Sequence, residues 1–286
     1  MPLDLSLPYV RKELAQRIKN DIDDYCIRTF DDGHRSHLGT SLIGHDCSRY
    51  LWYTFRWCKN VQYSGRMYRL FQRGHWEEPH YVLYLEGIGF KVWTRDDNGN
   101  QFRLASCGGH FGGSQDGATR TPPAYDVAEP LLLEFKTHNT GSHWVNLMEK
   151  GVAFEEPKHF IQMSIYGRFQ QLQYALYLNT NKNDDDLHVE IVKLDWSLAD
   201  NTIIKANQII TAREPPSKLS ESPTYYKCKY CDFFPICHTG EPVAHNCRSC
   251  KHATPVDGAQ WHCGLFSKIL DKETIIQGCS HHLPIT

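Results

Sequence analysis

Leu131-Leu132-Leu133-Glu134-Phe135-Lys136-Thr137 is the stretch on which the reading of this chain turns. Its run of leucines and phenylalanine has the continuous apolar character of a buried strand, interrupted by two opposite charges. In an extended segment residues i and i+2 share a face, so Glu134 and Lys136 point one way and Leu133 and Phe135 the other. Burying a carboxylate and an ammonium is costly unless something offsets it, and a divalent cation with a polarised phosphate does so. The carbonyl of Phe135 can add an oxygen ligand between them. A cross-strand ion-pair pattern is the other reading of the same two residues.

Upstream, Asp116 follows a glycine-rich stretch in Gly113-Ser114-Gln115-Asp116-Gly117, where a carboxylate at a strand end could reach the same cation. Asp-Gly is equally an ordinary turn signal. Phe90 to Arg95 and Gln101 to Ser106 read as two strands of a hairpin around Asp96-Asp97-Asn98-Gly99. Residues 8 to 30 read as a helix with Leu14, Ile18 and Ile22 on its apolar stripe. A second helix is expected after Asp46 as N-cap, through Tyr50 to Trp57, and a third from about Gly65 to Leu85, kinked or broken at Pro79.

Downstream, a long helix is expected over Pro157 to Leu178, with Ile161, Ile165, Phe169, Leu172 and Leu176 as its stripe. His159, Gln162 and Tyr166 fall on one side of it, unless they merely mark a helix edge at the surface. A polar break over Asn179 to Asp186, a strand from His188 to Asp195 and a helix from Leu198 to Arg213 complete the core. The order of elements predicts an α/β fold with an added helical face.

The chain has 286 residues and a formal net charge of −2, so no uniformly basic coat for nucleic acid is present. A local patch remains available in Arg49, Arg56, Lys59, Arg66, Arg69 and Arg73, interleaved with tyrosines, tryptophans and phenylalanines. No long apolar run marks a membrane span, and Met1-Pro2-Leu3-Asp4-Leu5-Ser6 lacks the pattern of a secretory signal. The expected setting is cytoplasmic, or the host cytoplasm if the chain is phage-encoded, with no membrane partner.

Eleven cysteines in such a setting point to metal rather than disulfides, and seven of them fall between Cys228 and Cys279. Cys228-x2-Cys231-x5-Cys237 supplies three thiolates, one short of a closed site. Cys247-x2-Cys250-x12-Cys263-x15-Cys279 is a self-sufficient group of structural-zinc type, with His252, His262, His281 and His282 near enough to substitute. The expected organisation is a main region 1–237, comprising a helical stretch 1–88, a core 89–214 and a cysteine segment 215–237, followed by a small zinc module 238–286.

Three motifs in register, Gly113-Ser-Gln-Asp116-Gly117, Leu-Leu-Glu134-Phe-Lys136-Thr137 and His159-x-x-Gln162-x-x-x-Tyr166, make the chain resemble the PD-(D/E)XK nuclease superfamily. The resemblance spans roughly residues 40 to 237 and is to the RecB-like branch, with its lambda-type, AddB-type and CRISPR-adaptation exonucleases. Gln115 stands where that family often has proline. The resemblance implies a restriction-endonuclease-like core with a mixed central sheet flanked by helices, and DNA as substrate. It implies Mg2+ or Mn2+ on Asp116 and Glu134, Lys136 orienting or activating water, and Gln162 and Tyr166 steadying the site. An upstream ligand would be Glu78 or His75, with Glu78 preferred. Resemblance to the iron–sulfur nucleases of this branch makes Cys47 the fourth ligand of a 4Fe-4S cluster with Cys228, Cys231 and Cys237; zinc at the same four is the alternative. The function implied is a metal-dependent DNA exonuclease in recombination, repair or phage DNA metabolism, acting with a recombination or annealing protein. A non-catalytic DNA-binding module, a CRISPR-type spacer-processing nuclease and a zinc-containing regulator are the rival readings.

Overall fold

The computed structural model describes residues 3–285, which divide into two compact units, 3–33 with 61–80 and 34–60 with 81–285. In the first, α1 (Pro8–Phe30) begins with proline at its first turn, where the missing N–H is no loss. The stripe expected to be buried is not: Ile18 and Ile22 stay 50% and 48% exposed, whereas Val10 and Cys26 are covered. The contact face is set instead by Gly65, where a side chain would collide with the backbone of Asp23, and by the ion pair of Arg69 with Asp23. Gly65 opens α3 (Gly65–Gly87), which passes through Pro79 without ending, so proline there costs backbone bonding but breaks nothing.

The second unit is a mixed α/β structure built on a five-stranded sheet in the order β2-β5-β6-β7-β8. Its centre is β6 (Leu131–His138), antiparallel to β5 (Gly117–Arg120) and parallel to β7 (Tyr174–Asn181), with Glu134 opposite Tyr177 and Lys136 opposite Asn179. Parallel neighbours need a crossover, supplied by α4 (Ser142–Lys150), α5 (Val152–Glu155) and α6 (Pro157–Gln170). The edges are β2 (Lys91–Trp93) and β8 (Leu187–Lys193). Alternation along β6 divides the core: Leu131, Leu133 and Phe135 pack with Tyr81, Leu85, Leu176 and Leu178, whereas Leu132 joins the main core with Met163, Ile165 and Tyr166. Glu134 and Lys136 share the face of Leu132.

The helix expected to run to Leu178 stops at Gln170, because Gln171 turns left-handed at φ 58° and its N–H closes onto the Gly167 carbonyl. Leu176 and Leu178 belong to β7; the spacing of Leu172 and Leu176 fits a helical stripe and a strand equally, since four residues return to the same face in either. The expected hairpin also opens out. Only Arg95 and Gln101 bridge it, while β3 (Arg103–Ser106) joins β4 (Phe111–Ser114) and β1 (Leu38–Gly39) in a separate sheet. The Asp96 carboxylate accepts from Asn98 N and Asn100 N at 2.9 and 2.8 Å, closing the tip locally and letting the two arms diverge.

The aromatic helix α2 (Ser48–Phe55) is capped by Cys47, whose sulfur accepts from Tyr50 N at 3.4 Å, rather than by Asp46, whose carboxylate pairs with Lys227. Following β8, α7 (Trp196–Thr211) is capped by Asp195 and lies against α6. The remaining chain carries α8 (Tyr226–Lys229), a three-stranded sheet of β9 (Ala253–Val256), β10 (Gln260–Cys263) and β11 (Lys268–Leu270), and α9 (Lys272–Gln277). This end shares the core of the second unit: Trp261, Ala253 and Ile275 pack in one cluster with Phe55 and Trp57. Arg248 stands among Phe55, Trp57 and Trp261, its guanidinium 4.6, 4.3 and 4.6 Å from the three rings. Among the described residues no helix is long and apolar enough to cross a membrane.

Candidate active site

Glu134 is fully buried, and two polar groups hold its Oε1: the Lys136 ammonium, and Gln162 Nε2 at 2.8 Å from α6. Asp116 precedes β5, and the antiparallel register that sets Gly117 opposite Leu133 continues to set Asp116 beside Glu134. Its Oδ2 accepts from Phe135 N at 2.7 Å. Lys136 Nζ also donates to the Phe135 carbonyl at 3.1 Å. Two carboxylates, one ammonium, one amide and one backbone carbonyl therefore converge at the centre of the sheet. Burial works against the Lys136 ammonium, but Glu134 and Asp116 outweigh it and hold its pKa above the ordinary lysine range.

Tyr166 stands one helical turn beyond Gln162. Its hydroxyl donates to the Ser114 carbonyl at 2.8 Å and is 2.6 Å from Thr40 Oγ1, which ties α6 to the strand leading into Asp116. The contact depends on glycine: a side chain at Gly113 would collide with both Thr40 Oγ1 and the Tyr166 hydroxyl. Gly117, at φ 152° and pressed on the Trp93 carbonyl, starts β5 directly after Asp116. Burial first, and the nearby Glu134 and Asp116 charges, push the Tyr166 phenol up, so it acts as a neutral donor. Thr40 and Tyr81, whose hydroxyl donates to the Lys136 carbonyl at 2.8 Å, are supporting residues the sequence does not single out. Thr40 lies far away in the chain, and hydroxyls carry no motif.

Past Lys136 the same face of β6 continues to His138, 3.1 Å from Glu156, and α6 brings His159 alongside, its Nδ1 3.1 Å from the Tyr177 hydroxyl. Burial, followed by the Lys136 charge, pushes His159 down and keeps it neutral. Glu78 and His75 lie on α3 in the first unit, paired at 3.2 Å. Of the basic and aromatic patch Arg56 is buried, and three other cations are held by protein partners. Arg56 is 2% exposed over Trp52 and Trp261, Arg49 donates to the Pro216 carbonyl, Lys59 to the Asp232 carbonyl, and Arg69 pairs with Asp23. A buried cation on aromatic rings, as Arg56 is, has the same sequence pattern as a nucleic-acid surface.

The cysteines gather into two groups. Cys47, Cys228, Cys231 and Cys237 line one cavity of about 350 Å3, walled by Tyr50, Tyr53, Phe233 and Phe234. Cations surround it in Arg49, Lys158, Lys218 and Lys227, and Arg49 Nη1 is 3.9 Å from the Cys237 sulfur. The donor set, the room and the compensating charge fit a thiolate-bound cluster. Cys247, Cys250, Cys263 and Cys279 line a space of about 20 Å3 with His252, His281 and His282. Cys26, Cys58 and Cys107 stand outside both groups.

No protein family profile and no curated protein sequence matches the chain. Among solved structures it is similar to the crystal structure of SSO0001, at 14% identity and a TM-score of 0.41 over 77% of this chain and 96% of that one. It is also similar to LHK-Exo in complex with dAMP, at 16% identity and a TM-score of 0.40 over 61% of this chain and 86% of that one. An alkaline exonuclease (LHK-Exo) from Laribacter hongkongensis is similar at 15% identity and a TM-score of 0.40, over 65% and 90% of the two chains. Likeness of this degree assigns neither fold nor activity.

Proposed function

We propose that the chain is a divalent-metal-dependent DNA nuclease of the PD-(D/E)XK type, with Asp116, Glu134, Lys136, Gln162 and Tyr166 as its working residues. The observation that carries this reading is the buried Glu134, held by Lys136 and Gln162 beside Asp116 at the centre of the sheet. A carboxylate with no solvent exposure is expensive to keep charged, and several kcal/mol would be saved by an apolar residue of the same size. Such a cost is accepted where the charge is used.

Asp116 and Glu134, with the Phe135 carbonyl, offer the hard oxygen donors that Mg2+ or Mn2+ takes, with Glu78 as a further candidate ligand. When bound, the ion supplies a more acidic attacking water and an electrophile for the phosphate. Lys136 presents an N–H donor to that water or to a phosphate oxygen. Gln162 keeps the Glu134 carboxylate from rotating, and Tyr166 fixes α6 against the segment bearing Asp116. The finer assignment is an exonuclease that processes DNA ends in recombination, repair or phage DNA metabolism. It carries a 4Fe-4S cluster on Cys47, Cys228, Cys231 and Cys237 and zinc on Cys247, Cys250, Cys263 and Cys279.

The test is digestion of end-labelled single-stranded and duplex DNA with Mg2+ or Mn2+, comparing free and blocked ends. Cleavage that vanishes in Glu134→Gln and Lys136→Ala, with folding retained, is expected. Binding of DNA without cleavage under either ion would favour the non-catalytic module, and unimpaired cleavage in either variant would remove these residues from the mechanism.

A further inference from the structure

We infer that His138, Glu156 and His159 form a binding site for a divalent transition ion of the zinc class, separate from the carboxylate pair at Asp116 and Glu134. A ring nitrogen of each histidine and a carboxylate oxygen of Glu156 all lie within 4.8 Å of one another. His138 ends β6, Glu156 occupies the junction of α5 and α6, and His159 stands in the first turn of α6, so a strand, a helix junction and a helix supply one donor each. Two imidazoles and a carboxylate suit borderline ions, where an all-oxygen set suits Mg2+.

The surroundings supply a second, independent observation. Asn179 on β7 is fully buried, with Nδ2 2.6 Å from His138 Nδ1 and 3.3 Å from the Tyr177 hydroxyl, and its Oδ1 has no hydrogen-bond partner among the described residues. The two ends of an amide have the same shape, and turning Asn179 over lets Oδ1 accept from His138 Nδ1–H and from the Tyr177 hydroxyl, with Nδ2 then taking the position that has no partner among the described residues. His159 Nδ1–H donates in turn to the Tyr177 oxygen, 3.1 Å away. Both rings then carry their proton on Nδ1 and keep Nε2 for an ion, the arrangement by which ligating histidines are oriented. An ion here would clamp the start of α6 to the end of β6, three residues before Gln162.

The site stands independently of the nuclease reading. The test is calorimetric titration of the full chain, its cysteine sites filled and excess Mg2+ present, with Zn2+. The unaltered protein should take up one further equivalent, raising its melting temperature. His138→Ala and His159→Ala should each weaken that uptake at least about 100-fold and Asn179→Ala about 10- to 100-fold, while Glu134→Gln binds as the unaltered protein does. Uptake unchanged in the histidine variants, lost in Glu134→Gln, or absent from the unaltered protein would overturn the assignment. Should the histidine variants fold poorly, Co2+ bound to the unaltered protein decides instead. Weak visible bands are expected, and strong sulfur-to-cobalt charge transfer would place the ion on cysteine and refute the site.

Discussion

The two cysteine groups offer the same four sulfurs and differ in everything around them. Cys47, Cys228, Cys231 and Cys237 face a cavity of about 350 Å3 lined by four cations, and the first two are separated by about 180 residues of chain. Cys247, Cys250, Cys263 and Cys279 come from about 33 consecutive residues, beside histidines, around a space of about 20 Å3. Ligand identity alone does not choose between an ion and a cluster, because thiolates suit both. Room and charge do. The first group closes a loop through the whole sheet and the second only staples its own segment, so they should contribute differently to stability.

The strongest test of that contrast is Cys47→Ser. We expect the iron and its broad visible absorbance to be lost and the melting temperature to fall by more than about 10 °C. Equal loss from Cys58→Ser, which lines neither site, would break the distinction. Cys250→Ser should release zinc, measured by elemental analysis, with a smaller fall of about 5 °C and the iron retained. Joint loss of both metals would show the groups to be one cooperative unit. Arg248→Ala, beside Cys247 and Cys250 yet packed on Phe55 and Trp57, should cost about 2–3 kcal/mol in denaturant unfolding. An unchanged midpoint would mean that the second group stabilises only itself.

The smallest effect concerns His110, buried against Trp261, with Nε2–H donating to the Val256 carbonyl at 2.8 Å. Burial lowers its pKa below the ordinary value of 6.5, so the folded imidazole stays neutral while the unfolded one titrates. As pH falls below 6.5 the unfolded chain binds a proton that the folded chain refuses, and stability declines. His110→Phe should flatten that region of the melting-temperature profile without altering zinc content. A slope identical to that of the unaltered protein would show that His110 does not set it.

Chemistry was more legible in the sequence than boundaries. Spacing alone pairs Glu134 with Lys136 and Gln162 with Tyr166, since period-two and period-3.6 repeats fix which side chains share a face, while the family resemblance joins these pairs to Asp116, and the structure brings them together. Tyr174 to Leu178 were illegible as a strand because the four-residue spacing of Leu172 and Leu176 satisfies both repeats and nothing local announces the left-handed turn at Gln171. The exposed stripe of α1 follows from a backbone contact at Gly65, which hydrophobicity cannot forecast. His138 was within reach, two residues past Lys136 on the same face, but its partners Glu156 and Asn179 come from other elements.

The packing of Trp57 and Phe55 around Arg248 and Trp261 also sets a timetable. Trp261 leaves the ribosome about 200 residues after Trp57, a delay of about 10–40 s at ordinary elongation rates. During that interval the aromatic face of α2 has no partner for its far side, and Trp52, Tyr53 and Phe55 remain open to solvent or to other chains. Completion of this cluster therefore waits on residues made long after α2, and a nascent chain stalled before Trp261 presents a sticky helix in place of a core.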